Sequence, residues 1–459
     1  SPALPVLAKI AHWLGGSVFA IRLFPALIGS LKLVLCCLLA KDLSGRTWAV
    51  IFTGVFLLFS PSLLASGTLF QPVTLNQLFW IFSAFLLVKI LKSGHRKYWW
   101  WLGIVVGLGL LTKYSIVFYI LALILALLLT GRAKLFTTKG PYLAIVLALI
   151  VFLPNIIWQY QHKWPVVDHM QALQDSQLEL IDWQHFLSSQ IRFHYLLGVI
   201  WLMGLWGFFR IEKLRPYKFL GLAFLGSILF IGLAQGKAYY TLGAFLPLFA
   251  AGGVTLEYYL KSTSMRIGLI ALCVLFTLPV LPYSLPLMQV SSLKTYNKIM
   301  PNYLGVKQKL RWEDNKYYDL PQDMADMHGW EELAQRVAAV YHSLSEEEKS
   351  KCLIYGGSYA HASVLNYYRQ RYSLPTAYSF SGTHILWAEP QEDYHTQIMI
   401  DDQLQYTSQW FNQMSMVDSI KNPYAREPGY IYLRADPKID VVKAWNELVT
   451  QERSRYSRQ

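Results

Sequence analysis

Charged residues are scarce in this chain. Lys, Arg, Asp and Glu make up 15% of its 459 residues, and 54% of the residues are hydrophobic. Soluble domains carry roughly a quarter charged residues, so this composition excludes disorder, a collagen-like fibre and an ordinary soluble domain. The four cysteines have no metal-ligand spacing and indicate no disulfide framework.

Acidic residues are especially rare before residue 290. That part has 22 Lys and Arg against 7 Asp and Glu, whereas the remainder has 19 against 21. A basic total often indicates a nucleic-acid partner. Here the apolar part carries +15 and the remainder −2, which together give the net charge of +13, so membrane topology explains the charge better and we expect no nucleic acid.

Long apolar runs predict transmembrane helices. A span needs about 20 mostly apolar residues to cross roughly 30 Å of hydrocarbon, and ten segments qualify as candidates. They are residues 17–40, 47–65, 75–91, 98–112, 115–130, 141–158, 194–209, 218–235, 238–258 and 267–286.

Every second connection between these spans is basic. Lys and Arg accumulate in short cytoplasmic loops, so the alternation places residues 1–16, 159–193 and the whole C-terminal part outside the cytoplasm. The basic clusters are Lys41 and Arg46; Lys89, Lys92, Arg96 and Lys97; Arg132, Lys134 and Lys139; Arg210, Lys213, Arg215 and Lys218; and Lys261 and Arg266.

The chain starts at Ser1 on the predicted outer side without a signal peptide. We therefore expect at least one more N-terminal helix, followed by an outer loop, upstream of it. Residues 6–14 are typical of a short amphipathic helix along the outer interface, and a buried helix fits them equally well.

Lys113 interrupts the apolar run from Tyr98 to Thr130. A single helix of that length would measure about 50 Å at 1.5 Å per residue, too long for one crossing. Two short spans that meet at Lys113 fit better, and they place Lys113 below the outer water boundary.

Lys237 lies in a second predicted turn on the same face. Both lysines are followed by tyrosines, namely Tyr114 and the pair Tyr239 and Tyr240. Charges at membrane depth are costly and usually face a cavity or a partner. The pattern predicts a pocket for an anionic head group, with lysines that snorkel to the interface as the alternative.

Other outer residues add weaker signals. Gln71 precedes the third span, His162 lies in the long 159–193 loop, and Lys32 lies within the first span, where we interpret it as snorkelling. No HExxH or comparable ligand spacing occurs. We therefore predict no metal site, although a divalent cation stays open as a cofactor.

Seven segments share an order and, within the apolar part, an outer placement. They are Ser17–Ser30, Phe70–Trp80, Gly107–Ser115, Pro154–Trp164, Lys237–Gly253, Leu320–Glu332 and Asn422–Leu433. Together they resemble bacterial family 39 glycosyltransferases, which are relatives of the dolichyl-phosphate-mannose protein mannosyltransferases and of the aminoarabinose transferase that modifies lipid A.

This resemblance implies a mainly α, polytopic membrane protein of the GT-C type. It implies a glycosyltransferase of the bacterial inner membrane that moves a sugar from a polyprenyl-phosphate donor to a lipid, glycan or protein acceptor at the periplasmic face. Lys113 and Lys237 then suit the donor phosphate. Tyr114, Tyr239, Tyr240, Gln71 and His162 become candidate substrate-binding residues.

The catalytic base is not found in the sequence. The resemblance places an essential Asp in the first outer loop, upstream of Ser1, and a second Asp where this chain has Asn76. An Asn side chain can hydrogen-bond a substrate but cannot act as a base at neutral pH. Either the upstream loop supplies the carboxylate or the chain has lost activity.

Two domains are expected, a transmembrane domain over 1–289 and an extracytoplasmic α/β domain over 290–459. Periodicity predicts helices at 330–344 and 359–368 and strands at 352–355, 398–400 and 430–433. The glycines Gly356 and Gly357 are a weak signal for a phosphate loop. Acceptor recognition and a structural cap are both open as roles.

Two other function classes stay open. A transporter or flippase for lipid-linked sugars would also use outer lysines, but it should show internal repeats with paired broken helices, and we find no clear repeat. A binding protein descended from an enzyme would be consistent with Asn76.

Overall fold

The computed structural model describes residues 2–173, 182–405 and 407–456. Its contacts divide the chain into two compact units. The membrane unit comprises Ser1–Ile157 and Ala172–Leu287, and the C-terminal unit comprises Trp158–Gln171 and Met288–Gln459.

Helices α1–α14 fall before residue 288, and three-residue to seven-residue 3₁₀ segments occur between several of them. The α-helices are Ala3–Trp13, Val18–Asp42, Thr47–Leu58, Pro61–Thr68, Pro72–Ser93, Lys97–Thr112, Ile116–Leu129, Lys139–Gln161, Pro165–Leu173, Trp183–Arg192, Gly198–Arg210, Lys218–Leu233, Phe245–Tyr259 and Thr263–Thr277. The 3₁₀ segments are Ala133–Thr137, Tyr195–Leu197, Arg215–Tyr217, Ala238–Ala244 and Leu278–Tyr283.

All ten predicted spans are helical. Among the described residues, six helices are long and apolar enough to cross a membrane, or up to eight if two bent pairs each count as one span. The bent pairs are α3 with α4, and α10 with the Tyr195–Arg210 segment. The two spans flanking Lys113 are short, with 16 residues in α6 and 14 in α7. The chain is a multi-pass membrane protein.

The basic connections contact one another. Asp42, after α2, pairs with Lys89 and Lys92 at the end of α5, at 2.6 and 2.9 Å. The Glu257 carboxylate near the end of α13 accepts hydrogen bonds from the backbone N–H groups of Arg46 and Ala49 at the start of α3. These contacts bring the first, second and last basic connections to a common face of the membrane unit.

Small residues let the central helices approach closely. Gly204 of α11 faces the backbone of α13, where a Cβ would clash with the Leu248 carbonyl oxygen. Gly252 of α13 similarly faces the Ile200 carbonyl. Helix α13 is buried from Phe245 to Leu256, so it forms the centre around which the other helices pack.

The C-terminal unit is a five-stranded mixed sheet with helices. Strands β1–β5 are Cys352–Gly356, Ala377–Tyr378, Thr396–Asp401, Phe411–Asp418 and Tyr430–Pro437. Strand β1 lies between β2 and β3 and is parallel to both, β5 pairs antiparallel with β3, and β4 pairs antiparallel with β5, which gives the order β2-β1-β3-β5-β4. Helices α15–α20 are Val290–Leu304, Gln322–Ala325, Trp330–Ser343, Glu346–Ser350, Tyr359–Tyr372 and Val441–Tyr456, with 3₁₀ segments Lys307–Leu310 and Gly382–Trp387.

The predicted elements of this unit are present at α17, α19, β1, β3 and β5, so the expected mainly α membrane fold with a C-terminal α/β part is confirmed.

Packing explains the glycines Gly356, which ends β1, and Gly357, which follows it. A Cβ on Gly356 would lie 2.7 Å from the Ala362 backbone nitrogen, and one on Gly357 would lie 3.1 Å from the Ile400 carbonyl oxygen. Close approach of α19 therefore explains Gly356, and close approach of the β3 backbone explains Gly357.

The predicted outer loop 159–193 is largely helical where it is described. Helix α8 continues to Gln161, and α9 and α10 follow. Asp182 caps α10 by accepting hydrogen bonds from the backbone N–H groups of Gln184 and His185. Residues 174–181 of this predicted loop lie outside the described residues.

Candidate active site

Lys113 lies at a break between two half-length helices. Helix α6 ends because Lys113 adopts an extended conformation, with φ of −159°. Its backbone N–H still bonds to the Gly109 carbonyl, and the Ile116 N–H bonds back to the Lys113 carbonyl, so the chain turns at once into α7. The break leaves the lysine side chain at an end shared by both helices.

Lys237 lies at a second break, between α12 and the 3₁₀ segment Ala238–Ala244. Gln235 has a left-handed backbone with φ of +51°, and the N–H groups of Gln235 and Gly236 bond to carbonyls in the last turn of α12. The Thr241 hydroxyl donates to the Gln190 side chain of α10 at 2.6 Å. This second turn is therefore fixed from both sides.

The two breaks meet. The Lys113 Nζ lies 3.4 Å from the ring centroid of Tyr240 and 5.1 Å from that of Tyr239. The two tyrosine rings stand edge to face, with 4.8 Å between centroids. Lys237 is close enough to act electrostatically on Lys113. The tertiary structure thus brings together four of the predicted site residues, which we call the two-lysine cluster: Lys113, Lys237, Tyr239 and Tyr240.

Asn76 is buried next to the helix break that carries Lys113. It is 3% exposed, its amide donates to the Ser115 hydroxyl at 3.3 Å, and its carbonyl accepts from the Trp80 indole at 3.2 Å. The Trp80 ring stacks on Tyr119 with 4.5 Å between centroids. Asn76 therefore ties α5 to the break after α6.

Tyr114 faces away towards α8. Its hydroxyl donates to the Asn155 side chain at 2.8 Å, and its ring packs edge to face against Phe152. Tyr114 therefore anchors the Lys113 break to α8.

Gln71 and His162 have other neighbours. Gln71 precedes α5 and lines a cavity of about 10 Å³ with Leu7, Pro25 and Thr74. His162 belongs to the C-terminal unit, where its ring stacks on Trp158 at 4.4 Å and its Nδ1 is 2.8 Å from the Trp158 carbonyl oxygen. These contacts join neither residue to the two-lysine cluster.

Lys32 corrects a sequence interpretation. It is 5% exposed, and its ammonium donates to the Thr74 hydroxyl at 2.9 Å and to the Gln77 side-chain oxygen at 2.5 Å. The interpretation as a snorkelling residue was wrong, because polar groups of α5 face it inside the protein. The sequence did contain an indication of these partners, because the spacing of Thr74 and Gln77 places both polar side chains on one helix face.

Metal ligands are not grouped in the part of the chain that the structure describes. No three His, Cys, Asp or Glu side chains there are arranged to hold an ion. Within the same residues, no carboxylate contributes to the electrostatics of Lys113. What the two-lysine cluster offers chemically is therefore concentrated positive charge beside aromatic faces.

Sequence comparisons match parts of this chain to known proteins. Residues 1–158 match the family model described as dolichyl-phosphate-mannose-protein mannosyltransferase. The lipid A galacturonosyltransferase RgtD of Rhizobium johnstonii (strain DSM 114642 / LMG 32736 / 3841) is 30% identical over 117 residues. That match covers 25% of this chain and 24% of the relative, so it spans about a quarter of each protein.

The whole-chain comparison is structural. ArnT from Cupriavidus metallidurans, solved bound to undecaprenyl phosphate, aligns with a TM-score of 0.53 and 13% identity over 96% of this chain and 88% of that one. The chain has the GT-C fold. The resemblance to GT-C glycosyltransferases is thereby confirmed. The Archaeoglobus fulgidus oligosaccharyltransferase complex with Zn and sulfate aligns at a lower TM-score of 0.39, with 13% identity over 87% of this chain and 59% of that chain.

Proposed function

We propose that this chain is a membrane glycosyltransferase that takes a sugar from a polyprenyl-phosphate donor, with the two-lysine cluster as the donor-phosphate site. The observation that carries the proposal is the meeting of Lys113 and Lys237 at two helix breaks. The acceptor is a lipid, glycan or protein, and transfer takes place at the periplasmic face of the inner membrane.

The electrostatics of the cluster favour an anionic ligand. Two ammonium groups that act on each other electrostatically in a poorly solvated region repel each other, and an anion bound there relieves that repulsion. The aromatic faces contribute about 0.5–2 kcal/mol to holding Lys113, but they leave N–H donors of its ammonium for phosphate oxygens. A phosphate that gains negative charge as the glycosidic bond breaks is stabilised most by such a site.

The supporting comparisons point the same way. ArnT, which shares the fold, was solved with undecaprenyl phosphate, and RgtD is named as a glycosyltransferase that acts on lipid A. Asn76 has both sides of its amide engaged inside the protein, which fits a supporting role. The proposal therefore gives Asn76 no part in proton transfer.

Sugar transfer by the full-length protein in lipid nanodiscs tests the proposal, with undecaprenyl-phosphate-linked sugars as donors. A charge-assisted hydrogen bond contributes roughly 1.5–3 kcal/mol, so we expect Lys113→Ala and Lys237→Ala each to lower kcat/KM about 10- to 100-fold. Lys134→Ala is the matched control, because Lys134 is exposed on the 3₁₀ segment Ala133–Thr137.

Two results would contradict the proposal. One is the absence of turnover by the parent protein across a panel of such donors and of lipid, glycan and peptide acceptors. The other is retention of parental activity in both lysine variants while their thermal unfolding matches that of the Lys134→Ala control.

A further inference from the structure

Trp387 is an exposed aromatic residue on a firmly held backbone. It ends the 3₁₀ segment Gly382–Trp387, and 69% of its surface is exposed. Ile385, two residues before Trp387, is 1% exposed within a hydrophobic core. Arg453 of α20 donates to the carbonyls of Ile385 and Leu386, at 3.4 and 3.2 Å. The backbone that carries this large, solvent-exposed aromatic ring is therefore fixed by contacts within the C-terminal unit.

A cavity of about 280 Å³ opens beside this ring. Its walls come from α19, from β2 with the residue on either side of it, and from the 3₁₀ segment that carries Trp387. His384 packs edge to face against Trp387, with 5.1 Å between centroids and 85° between planes. The polar and aromatic lining comprises Ser363, Asn366, Thr376, Tyr378, Ser379, His384 and Trp387.

The walls of this cavity are ordered by internal hydrogen bonds. Asn366 exchanges two bonds with the backbone of Ala377, at 2.8 and 2.9 Å. Thr376 accepts a hydrogen bond from Arg369 at 2.9 Å, so its own hydroxyl hydrogen can be donated to a ligand. A lining fixed in this way loses little conformational entropy when a ligand binds.

The lining selects for an uncharged ligand. None of its side chains carries a formal charge at neutral pH, because burial lowers the pKa of the His384 imidazole below its usual value. Hydroxyl, amide and imidazole groups offer both donors and acceptors, and the Trp387 and Tyr378 rings offer apolar faces. A ligand with an apolar C–H face and several hydroxyls matches this combination, whereas the lining side chains themselves offer no charge to a phosphate or an ammonium.

We propose that this cavity, the Trp387 cavity, binds one neutral sugar ring of a glycan, which makes the C-terminal unit a carbohydrate-recognition module. Its volume lies just below the roughly 300–1,000 Å³ of typical small-ligand sites, which suits one ring. The assignment of that glycan as the acceptor rests on the proposed function, but the binding of the sugar does not.

Saturation-transfer NMR with the full-length protein in nanodiscs tests sugar binding directly. The probes are the methyl glycosides of glucose, galactose, mannose and N-acetylglucosamine. We expect saturation of at least one probe, and we expect Trp387→Ala and Thr376→Val each to reduce it at least about fivefold. Tyr303→Ala is the matched control, because Tyr303 is an aromatic residue of the same unit that is 82% exposed and does not line the cavity.

The site assignment is overturned if none of the four probes is saturated, or if Trp387→Ala and Tyr303→Ala behave alike. It is also overturned if Trp387→Ala leaves sugar binding intact and instead weakens binding to sugar-free phosphatidylglycerol vesicles, since the ring then serves membrane contact. Donor turnover is measured separately. Sugar binding without any turnover would count against the proposed function alone, and turnover without sugar binding would count against the Trp387 cavity alone.

Discussion

Lys32 and Lys113 both interrupt apolar sequence, yet their surroundings differ in kind. The Lys32 ammonium is bound by neutral oxygens of Thr74 and Gln77 and is buried. The Lys113 ammonium rests on the faces of two tyrosine rings and lies near a second lysine. The first is satisfied within the protein, whereas the surroundings of the second are those of the anion site that we propose.

We expect the hydrogen bonds of Asn76 to stabilise the folded protein. Asn76→Leu removes the partners of the Trp80 indole and the Ser115 hydroxyl. An unsatisfied buried polar group costs about 1–3 kcal/mol, so we expect a lower thermal midpoint in detergent. In Asn76→Asp the carboxylate still accepts from Trp80, and the Ser115 hydroxyl can reverse to donate, so we expect that variant to fold.

The control for Asn76 lies on the same helix. Ser83 is fully buried, and its hydroxyl donates only to the Phe79 carbonyl one turn earlier in α5. Ser83→Ala is therefore expected to leave the midpoint nearly unchanged. Equal midpoints for Asn76→Leu and Ser83→Ala would show that the Asn76 contacts do not stabilise the fold.

Helix packing in the membrane unit depends on residues without side chains. Where α11 crosses α13, Gly204 and Gly252 each face a carbonyl oxygen of the other helix. Because the obstructing atoms are backbone, a side chain there can be accommodated only by moving a whole helix. Helix α13 follows the Lys237 break, so its position also determines where Tyr239 and Tyr240 stand.

Gly204→Ala tests this crossing. The added methyl group would clash with the Leu248 carbonyl, and such overpacking typically costs about 1–3 kcal/mol. We expect a lower thermal midpoint together with weaker donor turnover. Gly268→Ala in α14 serves as the comparison, since nothing lies within 4 Å of a Cβ there and Ala is the better helix former. A Gly204→Ala protein as stable as Gly268→Ala would disprove the close crossing.

The whole molecule has two chemically distinct faces in its membrane unit. Contacts join three of the basic connections at one face, through Asp42 and Glu257. The two helix breaks that carry Lys113 and Lys237 meet elsewhere. From the positive-inside rule we propose that the basic face is cytoplasmic and that the breaks and the C-terminal unit lie outside the cytoplasm.

Cysteine labelling checks this orientation. In a variant whose four cysteines are replaced by serine, we expect a membrane-impermeant maleimide to label Ser343→Cys in intact spheroplasts. Thr137→Cys should react only after permeabilisation. Both positions are exposed in the structure, so the difference reports sidedness. Labelling of Thr137→Cys in intact spheroplasts would reverse the proposed topology.

The sequence alone was sufficient for the helical segments, the basic connections between them and the two lysines at the helix breaks, because hydropathy and charge placement act locally along the chain. It could not decide which side chains meet across the fold. The seating of Lys113 on Tyr240, the burial of Lys32 against α5 and the support from Asn76 all join residues 39 or more positions apart. The Trp387 cavity likewise exists only because α19, β2 and a 3₁₀ segment pack together, since contacts between distant segments follow from packing and not from any local pattern.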